Sequence, residues 1–592
     1  MNKNLLKSGI FLPLIFLLLP LAGEPVNSET SLPHYFTAEE LLNKDSVGRD
    51  FYETEPPTAP VRNIAEFEQM QGVLIRYPWG ISYEIIAEMS EDAVVYTLVR
   101  DQTQENYVTN QYNNNGVNLN NCEFIHATTN SYWTRDYGPW FVAYGNNQIG
   151  IVNFPYNRPR PDDDDVPLAV ADFFDIAVFG MNLIHTGGNY MTDAYGISAS
   201  SDLVLEENPL LSQTQIDSLV QSYLGIDTYH LIPDPNNTYI DHIDCWGKFL
   251  AVDKVLIRSV PESHAQYDEI EAVVNYFSEQ TTSYGTPYQI YRVYTPDDEP
   301  YTNSLILNRK VLLPVTGSSW DDDAVALYQT AMPGYEVLPF TGSWESTDAL
   351  HCRAKGIADL EMLDIRHYPV NQTIFENESC LLEALIIPYS GNEVISDSLK
   401  VYFRVNGSDW NSVPLIHQSS NAYQALIPSQ NETDLIEYYL HAVDQAGKSV
   451  DHPYMGSYDP HSYTVGSSSP LQIQPDSLYV ELPPDSSASN SLILTNTGEV
   501  ELSYSIQIDS FRMDYLSYTV DILLRRTETV HLEIYDAEDN FIRSFEFENL
   551  NPGKNSLPIH LLDIYDNPLP EGIYKYSLRS PSNQITGKIQ LK

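Results

Sequence analysis

Five polar clusters carry the residue types that could do chemistry in this chain. They are Trp133-Thr-Arg-Asp136-Tyr-Gly-Pro-Trp140, Thr186-Gly-Gly-Asn189-Tyr-Met-Thr-Asp193, Tyr239-Ile-Asp-His242-Ile-Asp244-Cys-Trp246, Tyr301-Thr-Asn303-Ser304 and Ser346-Thr-Asp-Ala-Leu-His-Cys352-Arg353. Anchored on Asp136, Asn189, Asp244, Asn303 and Cys352, they stand 53, 55, 59 and 49 residues apart. A polar group that returns every fifty-odd residues predicts repeated units, each delivering one group to a common centre. A thiol, an imidazole, two carboxylates and an amide at one centre suit attack on a guanidinium.

A guanidinium is planar, permanently charged and resonance-stabilised. Hydrolysing it calls for a strong nucleophile, carboxylates that clamp the forked N–H groups, and a proton donor for departing ammonia. Cys352 is the candidate nucleophile, since a thiolate beside a cationic substrate and an imidazolium is favoured. Asp136 and Asp244 are the candidate clamps, and Asn303 can orient thiol or substrate. His242 lies two residues from Asp244, a spacing that on a strand would point both side chains into one site. It is the candidate that protonates ammonia and then activates water.

Other readings of these residues are blander. A Cys beside a His is most often a buried, inert thiol, and Cys122 and Cys245 are read that way. His242 with Asp244 lacks the third-ligand spacing of a zinc site, so neither metal nor cofactor is expected. Asp162 to Asp165 and Asp321 to Asp323 read as solvated loop charges, and Gly187-Gly188 as turn formers.

The elements that must position these residues alternate. Gly72 to Tyr77 and Ala93 to Val99 read as short buried strands with a helix at Tyr83 to Met89 between them. The alternation returns at Gly150 to Phe154 and the amphipathic Val166 to Phe174, at Leu250 to Val260 and helical Tyr267 to Phe277, and at Val311 to Val315 and helical Ala324 to Ala331. Strand–helix alternation predicts an α/β fold. Because the units repeat and no Gly-rich phosphate loop is present, a closed propeller-like ring is favoured over an open doubly wound sheet.

A net charge of −50, from 81 acidic and 31 basic residues, argues against nucleic-acid partners and suits a cationic substrate. Lys3 and Lys7 before an apolar run from Ile10 to Leu21 form a signal-peptide pattern over residues 1–23, so a secreted or cell-surface protein with no transmembrane segment in the mature chain is expected. Residues 24–50 read as a propeptide or flexible arm, and 51–362 as the catalytic domain. Beyond it, helical patterning stops. Lys400 to Val405 running into Asn406-Gly407, and Ile436 to Val443, predict an immunoglobulin-like β-sandwich over 363–465. Residues 466–510 form a linker with a short β segment, and 511–592 a β domain in which Val530, Leu532 and Ile534 alternate with polar residues.

The five motifs resemble those of the bacterial, Porphyromonas-type peptidylarginine deiminases and, more distantly, the agmatine deiminases of the same guanidino-group-modifying superfamily. The resemblance runs from about Phe51 to Val465. It implies a five-bladed α/β-propeller (pentein) followed by an immunoglobulin-like domain, with Cys352 as nucleophile, His242 as acid/base, Asp136 and Asp244 as guanidinium carboxylates and Asn303 as orienting amide. Trp133, Tyr239 and Ile240 are expected at the substrate, with Arg158 and Arg160. In the resembling peptidyl enzyme the paired arginines of Asn157-Arg158-Pro-Arg160-Pro dock the carboxylate of a C-terminal arginine, and agmatine has no such carboxylate. The agmatine enzymes tend to read Gly-Gly-Gly-Asn-Ile-His-Cys at the nucleophile, where this chain reads Ser346-Thr-Asp-Ala-Leu-His-Cys352; Asp136-Tyr-Gly-Pro-Trp140 is closer to the agmatine pattern. The last segment, about 511–592, is similar to domains that direct cargo through type IX secretion machinery. The expected activity is therefore conversion of peptidyl arginine to citrulline, with agmatine deimination and an inactive surface-binding protein as alternatives.

Overall fold

A computed structural model describes residues 32–467 and, beyond them, 471–474, 493–496, 517–524, 528–537, 540–551, 553–560, 572–580 and 583–591. The expected signal peptide and most of segment 466–510 lie outside the described residues. Two compact units divide at Ser469 and Pro470.

The first unit contains five small sheets with one recurring plan. Trp140–Tyr144 pairs antiparallel with Gln148–Asn153; the helix Val166–Phe174 then crosses over, and Ala177–Gly180 returns parallel to Gln148–Asn153. Met191–Thr192, Ile197–Ser201, the helix Gln213–Leu224 and Thr228–Ile232 repeat it. So do Gly247–Ala251, Lys254–Ser259, Tyr267–Ser278 and Gln289–Tyr294, and again Leu305–Leu307, Lys310–Val315, Asp321–Ala331 and Glu336–Thr341. The sheet holding Met70–Arg76, Val94–Val99 and Cys122–His126 takes its antiparallel partner from far along the chain, at Lys355–Ala358. The first unit of the series is thus completed by the last.

Local chemistry explains the plan. The central strands are covered on both faces, so Met70–Arg76 and Lys310–Val315 read as nearly unbroken apolar runs. Gln213–Leu224 begins at a capping box of Ser212 and Gln215, buries Ile216, Val220, Tyr223 and Leu224 on one face, and ends at Gly225 with φ +69°. Two expectations are corrected here. Leu250 to Val260 is not one strand but a hairpin turning at Val252 and Asp253. The acidic triplet Asp321 to Asp323 is not in a loop but forms the first turn of Asp321–Ala331, where carboxylates favour the helix dipole.

Residues 363–465 form two antiparallel sheets sharing one core. One orders Leu363–His367, Cys380–Pro388, Ala422–Ile427 and Ile416–Ser419; the other is built on Lys400–Val405 and Leu435–Val443. Alternate residues such as Leu382, Ala384, Ile386, Val401, Ile436, Tyr438 and Leu440 meet between them. Asn406 and Gly407 both adopt positive φ at the expected turn. In the second unit Glu528–Tyr535 is central in a four-stranded sheet, with Val530, Leu532 and Ile534 buried. Among the described residues no helix is long and apolar enough to cross a membrane.

Candidate active site

Each anchor of the sequence motifs sits in a single tight turn immediately before the first strand of a repeat. Asp136 lies in Thr134–Tyr137, Asn189 in Gly187–Asn189, Asp244 in Ile243–Cys245 and Cys352 in His351–Arg353; Asn303 lies just before Leu305–Leu307. The turn of Asp136 packs on those of Asn189 and Cys352, and the turn of Asn189 on that of Asp244. Repeat length therefore fixes motif spacing, and the strand that follows aims each side chain at the shared centre.

Asn303 clips the thiol from two sides: its Nδ2 lies 3.2 Å from Cys352 Sγ, and its Oδ1 accepts from the Cys352 backbone N–H at 3.3 Å. Asp244 Oδ2 lies 3.8 Å from the same sulfur. Burial, with Asp244, Asp348 and Asp136 nearby, pushes the Cys352 thiol well above its ordinary value. Without a cation the sulfur is a thiol. Burial drives His242 down to about 4, although Asp136 and Asp244 pull it upward. Asp136 is itself fully buried, yet His242, His34 and Arg158 outweigh burial and hold it near 2. Its Oδ1 lies 3.7 Å from His242 Nδ1. His242 and Asp244 meet through a turn rather than a strand, which corrects the i, i+2 expectation: His242 precedes the single turn Ile243–Cys245. Gly187 and Gly188 are required for space, not for turn geometry. A Cβ on Gly188 would stand 2.5 Å from His242 Nδ1 and 2.6 Å from Asp136 Oδ1.

A second ring of charge, not read from the sequence, supports the first. His351 Nδ1 faces Asp244 Oδ2 at 2.7 Å and its Nε2 faces Glu66 Oε2 at 2.6 Å. Glu66 also pairs with Arg135 at 2.8 Å and Lys248 at 3.1 Å, which keep its carboxyl well below the usual range despite burial. These groups line a small cavity of about 60 Å³. Glu66 precedes every motif and had no spacing signal to reveal it.

Of the expected substrate residues, Trp133 is buried, Tyr239 is 52% exposed with its hydroxyl 3.1 Å from Thr347 Oγ1, and Ile240 is buried in the same loop. Arg158 and Arg160 are both buried. They do not pair with the acidic run beside them. Asp163 instead accepts from the backbone N–H groups of Asn130 and Ser131 and the Ser131 hydroxyl, and Asp164 from the N–H of Tyr156. Asp163 is buried and Asp162 and Asp164 half-buried in the wall rather than solvated, while Asp165 is exposed as expected. Arg160 Nε binds Glu40 Oε1 at 2.6 Å, and Arg158 lies over the Phe36 ring at 4.2 Å. The segment expected to be a propeptide or flexible arm thus contributes to the site. His34, Asp136 and His242 bring donor atoms within 4.8 Å of one another, the one cluster among the described residues able to hold a metal ion. Its third member lies a hundred residues from the motifs, where spacing could not find it.

A buried thiol ringed by carboxylates and an imidazole defines a class: hydrolases acting on guanidino C–N bonds. The model of the Porphyromonas-type peptidyl-arginine deiminase family matches residues 63–354, and this segment is similar to the guanidino-group-modifying enzymes. An agmatine deiminase of Medicago truncatula is 23% identical over 286 residues, spanning 38% of this chain and 76% of that protein. Among solved structures, the agmatine deiminase of Enterococcus faecalis matches 52% of this chain and 99% of its own at 17% identity and TM-score 0.46. That of C. jejuni matches 50% and 96% at 17% identity and TM-score 0.44.

Proposed function

We propose that the chain hydrolyses the guanidinium of a peptide's C-terminal arginine to citrulline and ammonia. The observation that carries this reading is the thiol of Cys352 held by Asn303 beside Asp244, with Asp136 and His242 in the same cluster. A guanidinium clamped by Asp136 and Asp244 brings the positive charge that favours the thiolate, and the Cys352 thiol proton passes to neutral His242. Sulfur bonds to the central carbon, and the C–N bond breaks as imidazolium protonates the leaving amine. Water then adds to the thiouronium, His242 takes its proton, and the C–S bond breaks as that proton passes on to sulfur, returning the thiol and leaving the ureido group.

The finer architecture follows from the same reading. The five strand–strand–helix–strand repeats are the blades of an α/β-propeller closed by Lys355–Ala358, and 363–465 is an immunoglobulin-like domain. Segment 466–510 is a linker, and 511–592 a sorting domain engaging type IX-like secretion machinery. With a cleaved signal peptide at 1–23, the enzyme acts at the cell surface or outside it. Buried Arg158 and Arg160 favour a substrate carboxylate, whereas the names of the relatives favour agmatine. Ammonia release from a C-terminal-arginine peptide, its amide and agmatine, measured side by side, decides. Preference for agmatine, or equal rates on free and amidated termini, overturns the peptidyl reading.

A further inference from the structure

The segment from Pro33 to Ser46 lies inside the site rather than beside it. His34, buried, places Nε2 at 2.9 Å from Asp136 Oδ2. Its ring stacks on Trp133 with centroids 4.4 Å apart and planes 7° from parallel, and meets Tyr239 and His242 edge-on at 6.5 and 6.0 Å. A flat nitrogenous ring, stacked on an indole and hydrogen-bonded through its edge to a buried carboxylate, is held as a guanidinium would be.

The second end of the segment meets the paired arginines. Thr37 caps the helix Ala38–Asn43 through a reciprocal box with Glu40, whose Oε2 accepts from the Thr37 N–H at 2.7 Å. That leaves Glu40 Oε1 to bind Arg160 at 2.6 Å, while the Pro33 carbonyl takes Arg160 Nη2 at 2.6 Å and Phe36 covers Arg158. One short segment therefore presents a planar nitrogen group to the catalytic carboxylate and a carboxylate to the arginine pair. The outward face of its helix is free of core packing, with Leu41 and Leu42 59% and 86% exposed. Its polar grip on the body includes Asp136 and Arg160, and it connects to the body through a stretch in which Arg49 and Asp50 are exposed.

We infer that residues 33–46 occupy the subsites of the substrate and keep the chain latent, and that cleavage of the exposed Arg49–Asp50 bond releases them. The inference rests on the proposed function for the identity of those subsites, and it implies that the true substrate joins a planar nitrogen group to a carboxylate, as this segment does.

The test uses the full chain, its His34→Ala and Glu40→Gln variants, and two readouts: turnover of a C-terminal-arginine peptide, and alkylation of Cys352 by iodoacetamide mapped by mass spectrometry. Loss of one charge-assisted contact should raise the alkylation rate and kcat/KM by about tenfold or more, with KM carrying the change. A synthetic peptide of residues 32–46 should restore protection to His34→Ala, and the same peptide with Glu40→Gln should not, which separates displacement from misfolding. Limited trypsin digestion of the unaltered chain should cut after Arg49 early, with activity rising as cleavage proceeds. Equal alkylation and turnover in the unaltered chain and both variants would overturn latency while leaving the proposed function intact. Faster alkylation with no turnover in any form would overturn the proposed function while leaving the occupied subsites standing.

Discussion

At the scale of single residues, the site depends on what cannot be enlarged as much as on what reacts. Cys352→Ala removes the sulfur without emptying a core, so turnover should vanish while thermal stability stays within a degree or two; citrulline formation above a few per cent of the unaltered chain would discard the nucleophile assignment. Gly188 is the sharper case. A methyl group there would overlap His242 Nδ1 and Asp136 Oδ1, and the backing Thr186-Gly187-Gly188 turn is itself pinned, since a Cβ on Gly187 would stand 2.1 Å from the Arg135 carbonyl. Gly188→Ala should therefore separate imidazole from carboxylate and lower kcat by about a hundredfold or more, since small misplacements of catalytic groups cost that much. Normal kcat in a folded Gly188→Ala protein would show that the pair need not be so close.

At the scale of elements, the tight turns before each first strand convert sequence repetition into convergence, and the segment Asn157 to Arg160 brings two buried arginines. If both arginines hold a substrate carboxylate, Arg158→Ala with Arg160→Ala removes two charge-assisted partners, each worth about 1.5–3 kcal/mol. kcat/KM for a C-terminal-arginine peptide should then fall on the order of a hundredfold. Because the same change loosens Glu40, the decisive quantity is the ratio of free to amidated peptide, which should collapse toward one; an unchanged ratio would remove the arginines from recognition. The elements themselves were unevenly legible. Strands buried on both faces, such as Val94–Val99, announce themselves by composition, and the amphipathic Val166–Phe174 and Tyr267–Ser278 by period. The hairpin at Val252 and Asp253 left no Gly or Pro to mark it, and the polar helix Gln102–Asn114 buries only Gln104, Val108 and Tyr112. The members of the candidate cluster were legible because they recur at near-even spacing in short polar motifs. Glu66, His34 and Glu40 reach the site through folding alone, so local spacing carried no trace of them.

At the scale of the first unit, the two-sheet body of 363–465 meets the repeats around two buried histidines, His367 and His452, and the half-buried His461. Ring centroids of His367, His452 and His461 lie 5.1–5.9 Å apart. His452 Nε2 binds the Tyr195 hydroxyl at 2.9 Å, Tyr284 packs edge-on against His461, and Arg366, paired with Asp364, donates to the Ala194 carbonyl. Burial lowers all three histidines: His367 to about 4, His452 to about 3 and His461 well below its ordinary value. A histidine neutral in the fold but free to protonate near pH 6.5 when unfolded contributes fully above that pH and loses its contribution as pH falls toward the folded value. At pH 5 the loss is about 2 kcal/mol for each such group. Buried carboxyls act in the opposite sense, since Asp193 is raised to about 6 and Asp234 and Glu207 to about 7, so the acid limb of the unaltered chain mixes both. A difference between two chains isolates the histidine part. His461 has no hydrogen-bond partner at Nε2, so His461→Phe keeps an aromatic ring and deletes one buried proton acceptor. Its melting temperature relative to the unaltered chain should climb by a few degrees between pH 7 and pH 5. A difference that stays flat across that range would mean that His461 does not tie the two bodies' stability to pH.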